Sequence, residues 1–282
     1  MNILYCGDKN IEDGLIISVL SLIENTDEPL NIFVLTMALE TEEKTFRPLP
    51  QSLVDFLGER IKQGNPYNTI KLIDAGKIFE NFMPSANLNT RFTPFCMLRL
   101  YADKIEGLPD KILYLDNDVV CRKDFSEFYH SDISNAELSG VLDYYGRWFF
   151  RNNPFKLDYL NSGVLLLNLK KIRETGLFEM CRERCRKSKM FMPDQSAINK
   201  LSTAKIIAER KYNEQRKLCD ETVFQHFTTS FRFFPIIRTV AVKPWNIEKM
   251  HSVLGIYEYD ELINEYLSLK ADYQKGETQY EL

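Results

Sequence analysis

Two aspartates separated by one residue follow an apolar run in the segment KILYLDNDVVC, residues 111–121. Asp116 and Asp118 leave the same face of an extended chain, because side chains alternate along a strand. Two carboxylates that converge in this way are hard oxygen ligands, suited to Mg²⁺ or Mn²⁺. Burying both at the end of an apolar strand costs free energy unless a cation compensates their charge. The segment therefore predicts a divalent metal site; the alternative is an ordinary strand-end cap.

The first β-α turn, CGDKNIEDG, contains neither a G-x-G-x-x-G motif nor a Walker loop. A ready-made backbone nest for a pyrophosphate is therefore missing, and we expect a metal to hold the phosphates of a nucleotide instead. Asp8 and Asn10 come directly after the first strand, where they could hydrogen-bond a ribose or a base edge. Their alternative role is that of ordinary turn residues.

The elements that must position these residues alternate between short β-rich runs and helical patterns. Four strands are predicted at NILYCGD, LNIFVLT, TIKLIDA and KILYLDND. They are continuous apolar runs, which is typical of a parallel sheet covered on both faces, with ligands outside the carboxyl ends of its strands. GVLDYY and NSGVLLLNLKKI predict two further strands. Beyond about Arg186 the pattern loosens and predicts irregular structure packed on the sheet.

Composition excludes several classes of protein. The chain has 282 residues, of which 44% are hydrophobic and 27% charged, so we expect a soluble globular protein. A net charge of −4 gives no reason to expect nucleic acid as a partner. MNILYCGD lacks a signal-peptide pattern, which favours a cytoplasmic location. The basic run CRERCRKSKM predicts a solvated helix face; its alternative is contact with an anionic acceptor or with the inner face of the membrane.

The order and spacing of six motifs resemble the retaining glycosyltransferases of family 8, which include lipopolysaccharide α-galactosyltransferases and glycogenin. The motifs are CGDKN, MLRLYADKI, YLDND, NSGVLLLNL, PDQSAIN and VKPW, and they span nearly the whole chain. The resemblance implies an α/β GT-A nucleotide-binding fold with a mostly parallel central sheet, a Mn²⁺ or Mg²⁺ ion and a UDP-hexose donor. We expect one domain over 1–282, with the nucleotide-sugar core at 1–200 and an acceptor-side elaboration at 201–282.

The resemblance also implies roles for individual residues. Those near the donor would be Cys6 (through its backbone), Asp8, Asn10, Arg99, Asp116, Asn117, Asp118, Asp143, Asn161, Ser162 and Lys243. Those beside the reacting carbon would be Asp194 and Gln195 of PDQ. Simpler roles exist for several: Arg99 could pair with Asp103 on its own helix, Asn161-Ser162-Gly163 could be only a turn, and Asp194 could be an N-terminal helix acid.

His226 is the implied third metal ligand, but its position departs from the family pattern. The family places the metal-binding histidine a few residues before Lys-Pro-Trp, whereas FTTSFRFFPIIRTVAV separates His226 from Lys243 here. The alternative is a hydrogen-bonded histidine that packs among aromatic residues.

The sequence thus predicts a hexosyltransferase that moves glucose or galactose from a UDP-sugar to a glycan, a lipid-linked sugar or a protein glycan. Two other classes stay open. One is a HAD-type phosphatase with Asp116 as nucleophile, although three β-α units precede this strand. The other is a non-catalytic nucleotide-sugar-binding module. Gln195 of PDQ offers an amide oxygen, which is a weak nucleophile, so we predict that the retention implied by the resemblance proceeds by front-face transfer.

Overall fold

A computed structural model describes residues 1–90, 94–149, 158–232 and 238–280. The strands in these ranges are β1 Asn2–Cys6, β2 Asn31–Thr36, β3 Leu39–Glu40, β4 Thr45–Phe46, β5 Thr69–Asp74, β6 Lys111–Leu115, β7 Val119–Cys121, β8 Leu138–Leu142, β9 Leu160–Asn168, β10 Lys205–Ile207, β11 Phe224–His226, β12 Ser230–Arg232 and β13 Arg238–Val240.

The α-helices in the same ranges are α1 Glu12–Glu24, α2 Gln51–Gly64, α3 Gly76–Asn81, α4 Ser126–His130, α5 Gly146–Phe149, α6 Leu169–Thr175, α7 Leu177–Lys187, α8 Pro193–Leu201, α9 Ile247–Lys249 and α10 Asp260–Tyr280. Tighter 3₁₀ segments cover Lys9–Ile11, Ser85–Asn87, Pro94–Lys104 and Arg210–Tyr212, and a π-helical turn covers Met250–Leu254. None of the helices in the described ranges is both long enough and apolar enough to span a membrane.

Seven strands form the central sheet, in the order β10-β8-β9-β6-β1-β2-β5. Strand β9 runs antiparallel to both of its neighbours, β6 and β8, whereas all other neighbours in the sheet pair in parallel. The predicted fold class, α/β with a mostly parallel central sheet, is confirmed. The direction of β9 could not be predicted from its apolar run, because burial on both faces gives the same pattern in either direction.

Both faces of the sheet are covered, as the continuous apolar runs predicted. Ile3 and Tyr5 of β1 point into one apolar cluster, which includes residues of α1, α2 and α10. Leu4 points into a second cluster, formed with the Pro94–Lys104 segment and helices α6, α7 and α8. This alternation along β1 places its carboxyl end, and that of β6 beside it, between two layers of helices.

The expectation of irregular structure beyond Arg186 was wrong for several segments: β10 joins the central sheet, β11 pairs with β7, and α8 and α10 are helices. Ile263 and Tyr266 of α10 are buried in the same cluster as α1, and Lys270 Nζ reaches Asp13 Oδ1 of α1 at 2.5 Å. The signal was present in the spacing of Tyr259, Ile263 and Tyr266, which is that of one helix face. Residues beyond 200 therefore share a core with the sheet, and the predicted division at 200 stays a prediction.

The basic run on α7 is a solvated face in part. Arg186 and Lys187 are exposed and pair with Glu183 one turn earlier. Arg182, in contrast, is buried and pairs with Asp103 at 2.5 Å. Because Asp103 is engaged by Arg182 in this way, it is not available to the neighbouring helix residue Arg99.

Candidate active site

The Asp-Asn-Asp turn lies at the carboxyl end of β6, where a parallel sheet offers its ligand site. The chain then enters β7, which pairs antiparallel with β11 and sets His226 opposite Val119. The Phe227 N–H donates to the Asp118 carbonyl at 2.9 Å and fixes the register next to the turn. A strand pair between distant parts of the sequence therefore brings the imidazole to the two aspartates.

Asp116, Asp118 and His226 form a compact cluster of metal-ligand side chains. His226 Nε2 lies 3.2 Å from Asp118 Oδ1 and 3.7 Å from Asp116 Oδ2. One ligand atom from each residue lies within 4.8 Å of the other two. Two carboxylates and an imidazole are a donor set that fits a divalent cation. We refer to these three residues as the metal triad.

Charge around the metal triad is balanced by neighbouring cations. Lys243 Nζ pairs with Asp118 Oδ2 and donates to the Phe227 carbonyl at 3.1 Å. Burial acts to raise the pKa of Asp118, but Lys243 and His226 hold that pKa well below its usual range. Burial acts to lower the pKa of His226, yet the Asp118 carboxylate outweighs burial and raises it. Metal binding at the imidazole therefore competes with protonation, which the carboxylates of Asp116 and Asp118 favour.

Gly163 is a functional position that the sequence reasoning missed. A Cβ atom at this residue would lie 2.2 Å from His226 Cε1, 2.6 Å from His226 Nδ1 and 2.9 Å from Asp116 Oδ2. No L side chain fits at those distances, so only glycine lets β9 pass this close to the metal triad. The signal was available in Asn161-Ser162-Gly163, where the glycine follows two residues that the resemblance places near the donor.

Arg99 connects the metal triad to the PDQ segment. Its Nη2 donates to Asp116 Oδ1 at 2.9 Å, and its Nε lies 3.3 Å from Asp194 Oδ2. The guanidinium carbon stacks 4.0 Å from the centre of the Tyr114 ring, and the Tyr114 hydroxyl donates to Asp116 Oδ1 at 2.7 Å. The alternative of a surface pair with Asp103 is wrong. Arg99 is a buried residue that holds two carboxylates in place.

Gln195 is fixed by hydrogen bonds at both ends of its amide. Its Oε1 accepts from the Ser162 backbone N–H at 2.9 Å, and its Nε2 donates to Asp143 Oδ2 at 3.1 Å. Asp143 Oδ2 also accepts from Asn161 Nδ2 at 2.9 Å, and the Ser162 hydroxyl donates to Asp194 Oδ2 at 3.2 Å. Five predicted residues therefore form one connected polar network, which we call the Gln195 network.

The metal triad and the Gln195 network line one cavity of about 720 Å³. The predicted residues in its lining are Arg99, Asp116, Asp118, Asp143, Asn161, Ser162, Asp194, Gln195, His226 and Lys243. Lining residues without a prior assignment are Cys96, Tyr144, Tyr145, Gly146, Gly163, Phe191, Met192, Gln215, Thr228 and Thr229. Apart from Gly163 in the NSG motif, these residues carried no motif that marked them, because the tertiary fold brings them to the cavity from separate segments of the chain.

Four predicted donor residues lie outside that lining but near the same edge of the sheet. Cys6 ends β1, and burial raises the pKa of its thiol. Asp8 caps the following 3₁₀ turn and accepts from Asn10 Nδ2 at 2.7 Å. Asn117 packs against α1, where a Cβ on Gly14 would lie 2.4 Å from the Asn117 carbonyl. In this structure Asp8 and Asn10 hydrogen-bond to one another, as turn residues commonly do.

Comparison with known proteins places this chain in a class. The fold matches the galactosyltransferase LgtC, solved with donor and acceptor sugar analogues, with a TM-score of 0.67, 21% identity and coverage of 94% of this chain and 96% of that one. The chain therefore has a GT-A glycosyltransferase fold. Residues 2–246 match the model of glycosyl transferase family 8. The chain belongs to this family, as the motifs predicted.

Two curated relatives are similar in sequence. A lipopolysaccharide 1,2-glucosyltransferase from Escherichia coli K12 is 27% identical over 265 residues, which cover 87% of this chain and 73% of that protein. A protein from Haemophilus influenzae described as a glycosyltransferase is 25% identical over 215 residues, covering 73% of this chain. The chain spans 60% of the length of the Haemophilus relative.

The role of His226 can be tested by substitution. We expect His226→Ala to weaken Mn²⁺ binding about 10-fold or more, because it removes one of three donors from the metal triad. Isothermal titration of Mn²⁺ in the presence of UDP measures the change. His251→Ala is a matched control, since His251 pairs with Asp260 at 2.7 Å on another part of the fold. Unchanged Mn²⁺ affinity with a lower melting temperature would make His226 a packing residue.

Proposed function

We propose that this protein is a metal-dependent retaining hexosyltransferase, which transfers glucose or galactose from a UDP-hexose to a glycan or glycoconjugate. The observation that carries the proposal is the meeting of the metal triad and the Gln195 network in one cavity. The E. coli relative is a glucosyltransferase and the LgtC neighbour a galactosyltransferase, which supports both hexoses as candidates. The acceptor would be a glycan, a lipid-linked sugar or a protein glycan.

The proposed donor site divides into a diphosphate part and a sugar part. A Mn²⁺ or Mg²⁺ ion held by Asp116, Asp118 and His226 would act as a Lewis acid on the diphosphate leaving group. Lys243 is about one-third exposed beside Asp118, so its ammonium group can turn to the same negative charge.

The remaining donor residues are proposed by position. Asp143, Asn161 and Ser162 would contact the hexose, with Arg99 holding the carboxylates around it. Cys6, Asp8, Asn10 and Asn117, at the carboxyl ends of β1 and β6, would contact the nucleoside.

The hydrogen bonding in the cavity favours front-face transfer. A double displacement of the glycosidase type needs a carboxylate free to attack the anomeric carbon. Four aspartates lie in the described lining: Asp116, Asp118, Asp143 and Asp194. Each of these carboxylates already accepts a hydrogen bond or forms an ion pair, so none is free to attack. The Gln195 carbonyl faces the Ser162 N–H and hydroxyl, so it is a fixed dipole rather than a nucleophile. The departing phosphate oxygen would then accept the proton of the acceptor hydroxyl.

Replacing Gln195 should cost only part of the rate. We expect Gln195→Ala to lower kcat on the order of 10²-fold, as for the loss of one electrostatic stabiliser. Release of UDP measures the rate, and Gln51→Ala, at an exposed position on α2, is the control. Complete loss of turnover in a folded Gln195→Ala variant would instead indicate a covalent role for this residue.

One experiment separates the proposed function from its alternatives. UDP release from a panel of UDP-sugars with Mn²⁺ is compared with phosphate release from phosphomonoesters. The transferase releases UDP, a phosphatase releases phosphate, and a binding module binds UDP-sugar without releasing either. The phosphatase is not favoured, because the chain belongs to a glycosyltransferase family. UDP release from no member of the panel would contradict the proposal.

We also propose a cytoplasmic location for the protein, with peripheral contact at the inner face of the membrane. The exposed Arg186 and Lys187 of α7 supply basic groups for such a contact.

A further inference from the structure

Three arginines converge on one tyrosine in the wall of the active-site cavity. The guanidinium carbons of Arg147, Arg210 and Arg216 lie 5.3, 5.8 and 4.5 Å from the centre of the Tyr144 ring. Arg216 Nη1 also donates to the Tyr144 hydroxyl at 2.7 Å. Tyr144 lines the cavity that holds the metal triad. The three arginines, which we call the arginine cluster, therefore pack against a residue that lines the active-site cavity.

The arginine cluster carries more positive charge than its surroundings neutralise. Within the described ranges only Arg210 has a carboxylate partner, Glu214 Oε1 at 2.7 Å. Arg147 Nε is buried and makes no hydrogen bond to a described residue, and Arg216 forms no ion pair there. Like charges gathered around one ring repel each other, most strongly where they are partly removed from water. An anion between Arg147 and Arg216 would remove that repulsion.

The polar groups around Tyr144 are fixed in place. A small cavity of about 110 Å³ adjoins Tyr144 and is lined by Arg147, Arg210 and Gln215, among others. Gln215 lines both cavities; its Oε1 accepts from the Tyr144 N–H at 2.9 Å and its Nε2 donates to the Leu142 carbonyl at 3.1 Å. Tyr144 and Gln215, which line both cavities, are thus joined by a hydrogen bond, and the guanidinium groups of Arg147 and Arg216 beside the Tyr144 ring provide unpaired charge.

The arginine cluster adjoins the Gln195 network rather than the diphosphate part of the site. Asp143 Oδ1 accepts from the Tyr145 N–H at 3.0 Å and the Gly146 N–H at 2.5 Å, while Asp143 Oδ2 accepts from Gln195. The segment from Tyr144 into α5, which carries Arg147, is therefore hydrogen-bonded through Asp143 to Gln195, the residue proposed to stabilise the reacting carbon. In the proposed function, the metal ion held by the metal triad and the ammonium group of Lys243 bind the phosphates of the donor. The remaining reactant that can bring an anion to this wall is the acceptor.

We propose that the arginine cluster binds a phosphate or carboxylate group carried by the acceptor saccharide. The proposal rests on the proposed function and names the chemical class of its acceptor. Guanidinium groups bind both anions through paired N–H donors, which orient the ligand as well as attract it. An acceptor anchored in this way would present a hydroxyl to the cavity beside Asp143.

Binding of charged and uncharged sugars tests this proposal. Galactose 6-phosphate and galacturonic acid are titrated, against galactose, into the full chain saturated with UDP and Mn²⁺; the glucose series is used in parallel. We expect at least one charged sugar to bind on the order of 10- to 100-fold more tightly than its neutral parent. The two charged sugars distinguish a phosphate site from a carboxylate site.

The ratio of charged to neutral affinity is then measured in variants. Arg147→Gln combined with Arg216→Gln should bring the ratio close to one, while Arg186→Gln on the exposed face of α7 should keep it. Arg216→Gln alone, at an exposed position, reports the same ratio if the double variant unfolds. Equal affinities in the wild-type protein, or a preference that survives both arginine substitutions, would overturn the proposal.

UDP release on the same preparations separates a failure of the proposed function from a failure of the proposed anionic acceptor. If the wild-type protein releases UDP from no UDP-hexose, the proposed function itself fails. If it releases UDP but shows no preference for charged sugars, only the anionic acceptor is overturned.

Discussion

Asp118→Ala is expected to abolish metal-stimulated turnover while leaving the fold intact. The Asp118 carboxylate faces both His226 Nε2 and Lys243 Nζ, so its loss removes the group at the centre of the metal triad. Lewis-acid stabilisation of a leaving group is worth several kcal/mol, which corresponds to a loss of roughly 10³-fold or more in rate. UDP release at saturating Mn²⁺ measures the effect.

Two controls accompany the Asp118 substitution. Asp55→Ala removes an exposed carboxylate that accepts only from Gln51 on α2 in the described contacts, and its activity should match the wild type. Thermal melting of both variants tests whether the fold survives. Full activity in Asp118→Ala, or in wild-type protein treated with EDTA, would reject a catalytic metal.

Gly163→Ala should weaken metal binding at the metal triad although all three ligand side chains are unchanged. The added Cβ would lie 2.2 Å from His226 Cε1 and 2.9 Å from Asp116 Oδ2, so at least one ligand must move. Displaced ligands lower metal affinity by about 10- to 100-fold, and the rate at limiting Mn²⁺ should fall with it. Titration of Mn²⁺ against UDP-release activity measures both quantities.

Gly64→Ala is the matched control for Gly163→Ala. Gly64 ends α2 with open space around the position of a Cβ, so an alanine there should leave Mn²⁺ affinity unchanged. Wild-type affinity in Gly163→Ala would show that β9 can shift away from His226, and the close packing of this strand would then not limit the site.

The local sequence predicted most of what depends on single strands. The apolar runs predicted β1, β2, β5 and β6 in the right order. The same-face spacing of Asp116 and Asp118 predicted the two carboxylates of the metal triad. These features are local, because alternation along a strand and termination at its carboxyl end fix where side chains go. The resemblance to family 8 added Asp143, Asn161 and Gln195, whose spacing alone marks no chemistry.

Other features depend on contacts between distant residues and left little local signal. The histidine reaches the aspartates only because β11 pairs with β7, and the antiparallel direction of β9 is set by its neighbours. The arginine cluster combines residue 147 with residues 210 and 216, which the fold joins around Tyr144. Long-range pairing of this kind is not encoded in the period of hydrophobic residues.

The anomeric configuration of the first product tests the central claim most directly. UDP-glucose or UDP-galactose is incubated with the protein and Mn²⁺, with water or a saccharide as acceptor, and early time points are followed by proton NMR. Retaining transfer predicts that UDP forms together with an α-configured hexose, and that both vanish in Asp118→Ala. A β-configured product, or no UDP from either donor, would contradict the account.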